Sequence, residues 1–240
     1  MHSPYGLEIV ESCLGCTLQR GASFCNLPSR SLDKLQSLGF VTACPKGSIL
    51  ITEGQSPREI FIVCVGHVKI FIVSKVGKRL CLGIGGPGTI LGLSAAISGG
   101  PHQVTVETLE PCQLRVTKAD RFLTFLRQDQ AACFAALRCL SSDVRKMHAC
   151  SRLLGLSNSA AQRLARVLVR WEMYEANALE GKPCLRFPLS HRELAEILGV
   201  SRETVTRLLI AFEKKELIHC CADSIVIKDE HTLRTLAVAA

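Results

Sequence analysis

Three cysteines lie close together near the N-terminus, in the stretch SCLGCTLQRGASFC at residues 12–25. Cys13, Cys16 and Cys25 fall within thirteen residues, in a segment with little apolar patterning for a core. Thiolates so spaced can bind zinc or an iron–sulfur cluster, and a Cys-x2-Cys pair can cycle between dithiol and disulfide. Because the chain has 13 cysteines, a metal site, a redox pair and a general use of cysteine all remain open at this point.

A second group of chemically capable residues lies in LSHRELAEILGVSRETVTRLLIAFEKKELI, residues 189–218. Ser190 and Glu193 have the spacing of a capping box, which predicts the start of a short helix. Gly199 ends that helix, and Ser201 caps a second one. Two short helices joined by a tight turn with glycine predict a helix-turn-helix.

The first turns of the second helix carry side chains that could recognise base pairs. Arginine can bond to O6 and N7 of guanine, and glutamate can accept from N4 of cytosine. The alternative is a solvated polar face with pairing along the helix. The predicted DNA-binding residues are Ser201, Arg202, Glu203, Thr206 and Arg207. The next stretch, LIHCCADSIVIKD, predicts a two-stranded wing that could contact phosphates.

Composition limits the class of protein. Hydrophobic residues make up 48% and charged residues 21%, as in packed globular domains, and the net charge of +8 permits an anionic partner. The apolar runs are too short to span a bilayer and no secretory signal is recognisable, so we expect a cytoplasmic protein whose cysteines are free thiols or ligands rather than disulfides. GIGGPGTILG lacks the Lys-Ser/Thr of a phosphate-binding loop, and the histidines are scattered, so we expect no enzyme.

The elements that must position these residues change type along the chain. From Pro45 to Val116, short runs rich in Val, Ile and Phe alternate with glycine turns, which predicts an all-β sandwich or roll. After about Lys118 the pattern becomes helical. Apolar residues then recur at alternating spacings of four and three over three heptads, and this a/d seam predicts a contact between two subunits. The alternative is a long helix packed on its own domain. The predicted interface residues are Leu137, Leu140, Val144, Met147 and Leu154.

Roll, long helix and helix-turn-helix together resemble the CRP/FNR family of bacterial transcription regulators, with SRETVTRLL as the reading helix. The resemblance implies an α+β fold: an N-terminal β-roll (a double-stranded β-helix like cyclic-nucleotide-binding domains) as sensor, a long dimerisation helix and a C-terminal winged helix-turn-helix. It also implies a homodimer on a two-fold symmetric operator, with RNA polymerase as a further partner. The expected domains are a cysteine-rich segment at 1–29, the sensor at 30–128, the dimerisation helix at 129–156 and the DNA-binding domain at 157–240.

The signal that the sensor recognises is predicted from two matches to this family. The cyclic-nucleotide branch has a Gly-Glu pair and, about ten residues on, an Arg-Ser pair. Here Gly92 is followed by Leu93, and His102-Gln103 stand near the expected Arg-Ser. Without an arginine for the cyclic phosphate, we expect no cyclic AMP binding.

The oxygen-sensing FNR branch holds a [4Fe–4S] cluster with three N-terminal cysteines and a fourth in the sensor domain. Cys13, Cys16 and Cys25 match the first three, and Cys112 matches the fourth, whereas Cys64 is predicted to be a small core residue. The resemblance thus implies an oxygen-labile [4Fe–4S] cluster on these four ligands. Zinc in the same thiolates, nitric oxide or thiol redox sensing, a haem on His67 and, less favoured, a thiol redox enzyme are the alternatives.

The reading helix itself resembles the cyclic-AMP branch, which has Arg-Glu-x-x-x-Arg at this place, whereas FNR members typically have a small apolar residue for the first arginine. The chain thus combines an FNR-like sensor with a CRP-like reading helix. This combination predicts a half-site like TGTGA rather than TTGAT.

Overall fold

Two four-stranded antiparallel sheets form the N-terminal part of the protein, which we describe from a computed structural model. One sheet has the order β1-β8-β3-β6, and the other has the order β2-β7-β4-β5. The strands are β1 (Gly39–Cys44), β2 (Ile49–Ile51), β3 (Glu59–Val65), β4 (Val68–Val73), β5 (Arg79–Gly85), β6 (Ile90–Leu91), β7 (Thr105–Thr108) and β8 (Cys112–Lys118). The predicted roll is therefore confirmed.

The structure describes residues 4–7, 9, 11–16, 24–77, 79–155, 159–176, 185–186, 189–221 and 224–238. The chain divides into two compact units, residues 1–147 and 148–240. Among the helices described, none is both long and apolar enough to cross a membrane.

In the described part of the first unit, a short 3-10 helix (Pro4–Gly6) and four α-helices accompany the sheets: α1 (Ser29–Ser37), α2 (Leu93–Ser98), α3 (Ala119–Gln128) and the 26-residue α4 (Gln130–Gly155), which continues past the unit's end. The sheet β1-β8-β3-β6 is buried on both faces. Its inner face carries Val63, Leu114 and Val116 toward the other sheet. Its outer face carries Ile60 and Ile62 into a second core with α1, α3 and α4. Since successive strand residues point to opposite faces, neighbours in sequence here enter different cores.

Asp129 joins α1 to the start of α4. The Ser31 hydroxyl donates to both oxygens of its carboxylate at 3.0 and 2.9 Å, and the Ala132 amide donates at 3.1 Å. Burial raises the pKa of Asp129, but these hydrogen bonds and the charge of Lys34 outweigh it, so the pKa is lowered on balance. The carboxylate therefore stays ionised and caps α4 while holding α1.

A tight turn at Gly66 joins β3 to β4. Its φ is +86°, and a methyl group there would lie 2.6 Å from the Pro111 carbonyl oxygen and 2.7 Å from Cys112 Sγ. Gly77 has a similar φ of +78°, but its methyl group would meet no atom within 4 Å. The two glycines therefore differ in packing and share their backbone requirement.

Gly66→Ala is expected to lower the free energy of unfolding by about 3–5 kcal/mol, because a backbone overlap adds to the strained φ. Gly77→Ala, the matched control, should cost about 1 kcal/mol. Urea unfolding of both variants measures the difference. Equal losses of unfolding free energy in the two variants would mean that the backbone at Gly66 shifts and removes the overlap.

The second unit contains the helices α5 (Ala160–Ala176), α6 (His191–Leu198), α7 (Arg202–Lys214) and α8 (Glu230–Val238). A three-stranded antiparallel sheet of order β10-β11-β9 completes it, with β9 (Leu185–Arg186), β10 (Ile218–Cys220) and β11 (Ser224–Ile227). Helix α5 packs against α8 and against α6 and α7. The predicted winged helix-turn-helix is thus present, with a third short strand added to the wing.

Candidate functional site

The ends of helices α6 and α7 are set by the capping residues and the glycine that the sequence analysis identified. The Ser190 hydroxyl accepts from the Glu193 amide, and the Glu193 carboxylate accepts from the Ser190 amide, which completes the capping box. Gly199 ends α6 with φ +66°, and Ser201 caps α7 by accepting from the Thr204 amide. The two helices bury a shared apolar core of Leu194, Ala195, Leu198, Val205, Leu209 and Phe212.

Helix α7 presents its predicted reading residues on the face away from that core. Arg202, Glu203 and Arg207 are exposed. Thr206 is half-buried: its hydroxyl donates to the Arg202 carbonyl at 3.1 Å and lies 3.0 Å from His191 Nδ1. Three of the side chains are therefore free of the core, and the fourth also braces α7 against α6.

Glu203 is held as a carboxylate. A hydrogen bond from its own backbone amide, a second from the Ser201 hydroxyl and the charges of Arg202 and Arg207 lower its pKa. An ionised carboxylate between two guanidinium groups can accept from an amino group while the arginines donate. This pattern of donors and acceptors suits the edges of base pairs in a major groove.

The other predicted functional surface follows α4. Leu137 is 56% exposed and Val144 54%, and Met147 is exposed as well. Leu140 is only partly exposed, because it packs against the core of its own unit. The side chain of Leu154 lies outside the described residues. The seam predicted from the sequence is therefore a solvent-facing apolar stripe over most of its described length.

A small cavity collects four cysteines under the N-terminal segment. Cys13, Cys16, Cys25 and Cys64 line it, and we call it the thiol pocket. Its remaining wall contains Ser12, Leu32, Leu35, Ile62 and Arg115. None of the described cysteines is in a disulfide. The three N-terminal cysteines thus line one cavity, and residues 17–23, between the second and third, lie outside the described structure.

Arg115 was not predicted as a site residue, yet it anchors the N-terminal segment beside the thiol pocket. Its guanidinium donates to the Gln36 carbonyl at 3.2 Å and to the Glu11 carbonyl at 3.0 Å, and it hydrogen-bonds to the Cys13 thiol. The side chain is 4% exposed, and its Nε atom is buried without a hydrogen-bond partner in the described structure. An orphaned buried donor is costly, which indicates an acceptor to be supplied from elsewhere.

Burial raises the pKa values of three cysteines in the thiol pocket. Burial and the nearby thiolates of Cys64, Cys13 and Cys16 raise the pKa of Cys25 to about 12. Burial raises the pKa of Cys64 to about 11 against the opposing charge of Arg115. Burial also raises the pKa of Cys13, again opposed by Arg115. These thiols are therefore protonated at neutral pH until a metal ion displaces the protons.

The structure does not place Cys112 in the thiol pocket. Cys112 lies on the inner face of β8, fully buried in the core with Val63 and Leu114, and its thiol donates to the His67 and Glu110 carbonyls at 3.3 Å each. Strand alternation turns its side chain to the opposite face, so the described structure does not bring the predicted fourth ligand, Cys112, together with Cys13, Cys16 and Cys25.

The alternation of residues along β8 indicates on which face of the sheet Cys112 lies. In CQLRVTK, Cys112, Leu114 and Val116 share one face, and Gln113 and Arg115 share the other. Alternation in EIFIVCV likewise groups Ile60, Ile62 and Cys64 on one face, but the six residues after Glu59 are all apolar and so do not show which face is the outer one. It lies at a β-bulge, where β3 pairs Val63 with Leu114 and Val65 with Gln113 and leaves Cys64 between them.

The donor chemistry of the thiol pocket fits an iron–sulfur cluster: four thiols, an apolar wall and one buried cation. Its free volume is about 20 Å³, room for about one water molecule, so the side chains must separate to admit a cluster. In the described arrangement, no three Cys, His, Asp or Glu side chains converge closely enough to share one metal ion.

Near the position where the cyclic-nucleotide branch has its phosphate-binding arginine, this chain has His102. His102 is buried beside Gly92, with its Cε1 atom 3.5 Å from where a methyl group on Gly92 would lie. Burial lowers the pKa of His102, so the ring is neutral at neutral pH. A neutral imidazole cannot make the charge-assisted bond that an arginine makes to phosphate.

Comparison with known proteins covers both units. Residues 41–129 match the family model of the cyclic nucleotide-binding domain, and residues 162–236 match that of the Crp-like helix-turn-helix domain. A sensor of this type followed by this DNA-binding domain defines a DNA-binding transcription regulator. The chain is a transcription regulator of the CRP/FNR family.

Relatives agree with this assignment. The transcriptional activator protein Anr of Pseudomonas protegens is 26% identical over 233 residues, covering 94% of this chain and 92% of that protein. The cyclic AMP receptor protein of Thermus thermophilus is 22% identical over 193 residues, covering 80% and 86%. FixK2 from Bradyrhizobium japonicum has the same fold, with a TM-score of 0.75 at 22% identity, over 84% of this chain and 98% of that one. These proteins are regulators and not enzymes, as the sequence predicts.

Proposed function

We propose that this regulator is controlled by an oxygen-labile [4Fe–4S] cluster held by Cys13, Cys16, Cys25 and a fourth cysteine of the sensor domain. The observation that carries the proposal is the thiol pocket itself, one cavity that four cysteines and a buried arginine line. When bound, the cluster supplies sensitivity to oxygen, and nitric oxide is a second candidate signal. The neutral His102 argues against cyclic nucleotides as the signal.

The chain's own packing supports a link from the pocket to the long helix. Leu32 and Leu35 of α1 line the thiol pocket and belong to the same core as Ala132 and Ala136 of α4. The bond from Ser31 to Asp129 ties the same two helices. Ligation of the N-terminal cysteines would therefore restrain α1, and α1 contacts the first turns of α4 through this core and this hydrogen bond.

The apolar stripe of α4 supports a homodimer. Large exposed apolar side chains at heptad spacing are stable when a second copy covers them. Two copies place two α7 helices to read half-sites about one DNA turn apart. We accordingly infer a two-fold symmetric operator and action in the cytoplasm, with RNA polymerase as a partner at the promoter.

Protein purified without oxygen is expected to be brown and to carry about four irons and four sulfides per chain, the stoichiometry of a cubane cluster. Cys13→Ser, Cys16→Ser and Cys25→Ser should each abolish the colour, because each removes a thiolate. Iron and sulfide assays with a visible absorbance spectrum measure this. Cys81→Ser is the control, since Cys81 lies in β5 and does not line the thiol pocket.

A colourless protein, or one that holds stoichiometric zinc, would contradict the cluster. The proposals of DNA binding and of a homodimer do not depend on this result and are tested separately.

A further inference from the structure

Strand geometry separates the two candidates for the fourth ligand. Strand β8 lies between β1 and β3 and pairs with both along nearly its whole length. To bring Cys112 to the outer face, β8 would have to slip by one residue against both neighbours. That slip would turn Leu114 and Val116 out of the inner core, which register resists strongly. Cys112 is therefore held away from the thiol pocket.

Cys64, unlike Cys112, lies on the face of the sheet that borders the thiol pocket. Its thiol lines the thiol pocket beside Ile62 on the outer face of the sheet. Cys64 lines this cavity together with Cys13, Cys16 and Cys25, whereas Cys112 is not part of its lining. The bulge at Cys64 gives this residue freedom that a regularly paired strand residue lacks. A side chain at a bulge can be re-aimed without moving the rest of the strand.

Arg115 adds an independent indication of an anionic occupant. Four thiolates carry more negative charge than the cationic iron–sulfur core offsets, and the remaining charge is stable in a mostly apolar pocket only where it is compensated. The Arg115 guanidinium lies in the wall of this pocket, and its buried Nε atom has no acceptor in the described structure. Cluster sulfurs or a ligating thiolate would supply that acceptor, since hydrogen bonds to sulfur are a usual feature around such clusters.

We propose that the fourth thiolate of the cluster comes from Cys64 on β3, with Arg115 as its charge partner, and not from Cys112 on β8. This inference rests on the proposed function. Each of the four cysteines loses its thiol proton to solvent as its iron–sulfur bond forms. The set of ligands thus ties the N-terminal segment to β3, which neighbours β8 and β6 in the sheet.

The test compares Cys64→Ser with Cys112→Ser in the full-length chain. Both are loaded without oxygen from ferrous iron and inorganic sulfide, and bound iron, sulfide and visible absorbance are measured per chain. We expect wild type and Cys112→Ser to bind about four irons, and Cys64→Ser to lose most of the iron and the absorbance. Cys64→Ala and Cys112→Ala repeat the comparison without a buried hydroxyl, and urea unfolding of the metal-free forms verifies that each variant folds.

Two outcomes overturn the assignment in distinguishable ways. If wild type loads and Cys64→Ser and Cys64→Ala load equally well, the assignment of Cys64 is wrong and the proposed function survives. If wild type takes up no cluster, the proposed function fails and this assignment fails with it.

Discussion

Leu137→Glu is expected to turn the dimer into a folded monomer. Leu137 is 56% exposed on the apolar stripe of α4, and a partner helix would bury the new carboxylate in a mostly apolar contact. An uncompensated buried charge costs about 3–5 kcal/mol, and a symmetric interface meets this cost twice. We therefore expect the dimer dissociation constant to rise at least a hundredfold or so, with a parallel loss of operator binding.

Arg145→Glu is the matched control, because Arg145 is exposed on α4 but lies off the seam. This control changes the charge by two units, twice the change in Leu137→Glu, and should still leave the dimer intact. Sedimentation over a range of concentrations measures both. A dimer that persists in Leu137→Glu would show that the seam does not form the subunit contact.

Arg207→Ala should weaken binding to the cognate half-site by about 1–3 kcal/mol, or about 5- to 150-fold in Kd, and relax the preference at one base pair. The reason is that Arg207 is exposed on α7, where its guanidinium donates a 3.3 Å hydrogen bond to the Thr204 hydroxyl of the same helix. The same reasoning assigns Arg202 to a second guanine and Glu203 to a cytosine. A half-site like TGTGA supplies the extra guanine that TTGAT lacks.

Selection from random duplexes by the dimer, prepared without oxygen, measures the preferred half-site. Arg192→Ala is the control, since Arg192 is an exposed arginine on α6 rather than on α7. An arginine that contacts only phosphate should weaken all sequences alike and lower the dependence on salt. If Arg207→Ala behaves in that way, or if the selected half-site lacks the extra guanine, the reading residues are assigned wrongly.

The DNA-binding unit was predictable because its signals are local. Ser190 and Glu193 satisfy each other's backbone amides within one turn, and Gly199 adopts a left-handed φ that few other residues tolerate. Each of these interactions spans three residues or fewer, so spacing alone reveals it. The roll was predictable for a related reason, since its turns are marked by glycine.

The fourth thiol was not predictable in the same way, because its position depends on pairing between distant strands. The match of Cys112 to the FNR branch rests on its place along the chain, whereas ligation depends on the face of the sheet. One residue of register decides that face, and β3 and β8 also pair across a bulge at Cys64. The role of Arg115 was not predictable from the sequence, because it depends on the N-terminal segment lying over β8, where the Glu11 carbonyl accepts from the guanidinium.

The joint at Asp129 gives α4 the properties of a lever. Its carboxylate is hydrogen-bonded to α1 at one end of a helix that runs on to Met147 without a break. At 1.5 Å per residue, Met147 lies about 26 Å from the first residue of the helix. A tilt of about 5° at the joint would swing Met147 by roughly 2 Å, a large part of the roughly 3.5–4 Å that separates packed carbon atoms. A displacement of α1 too small to disturb its own packing is thereby magnified at the apolar stripe.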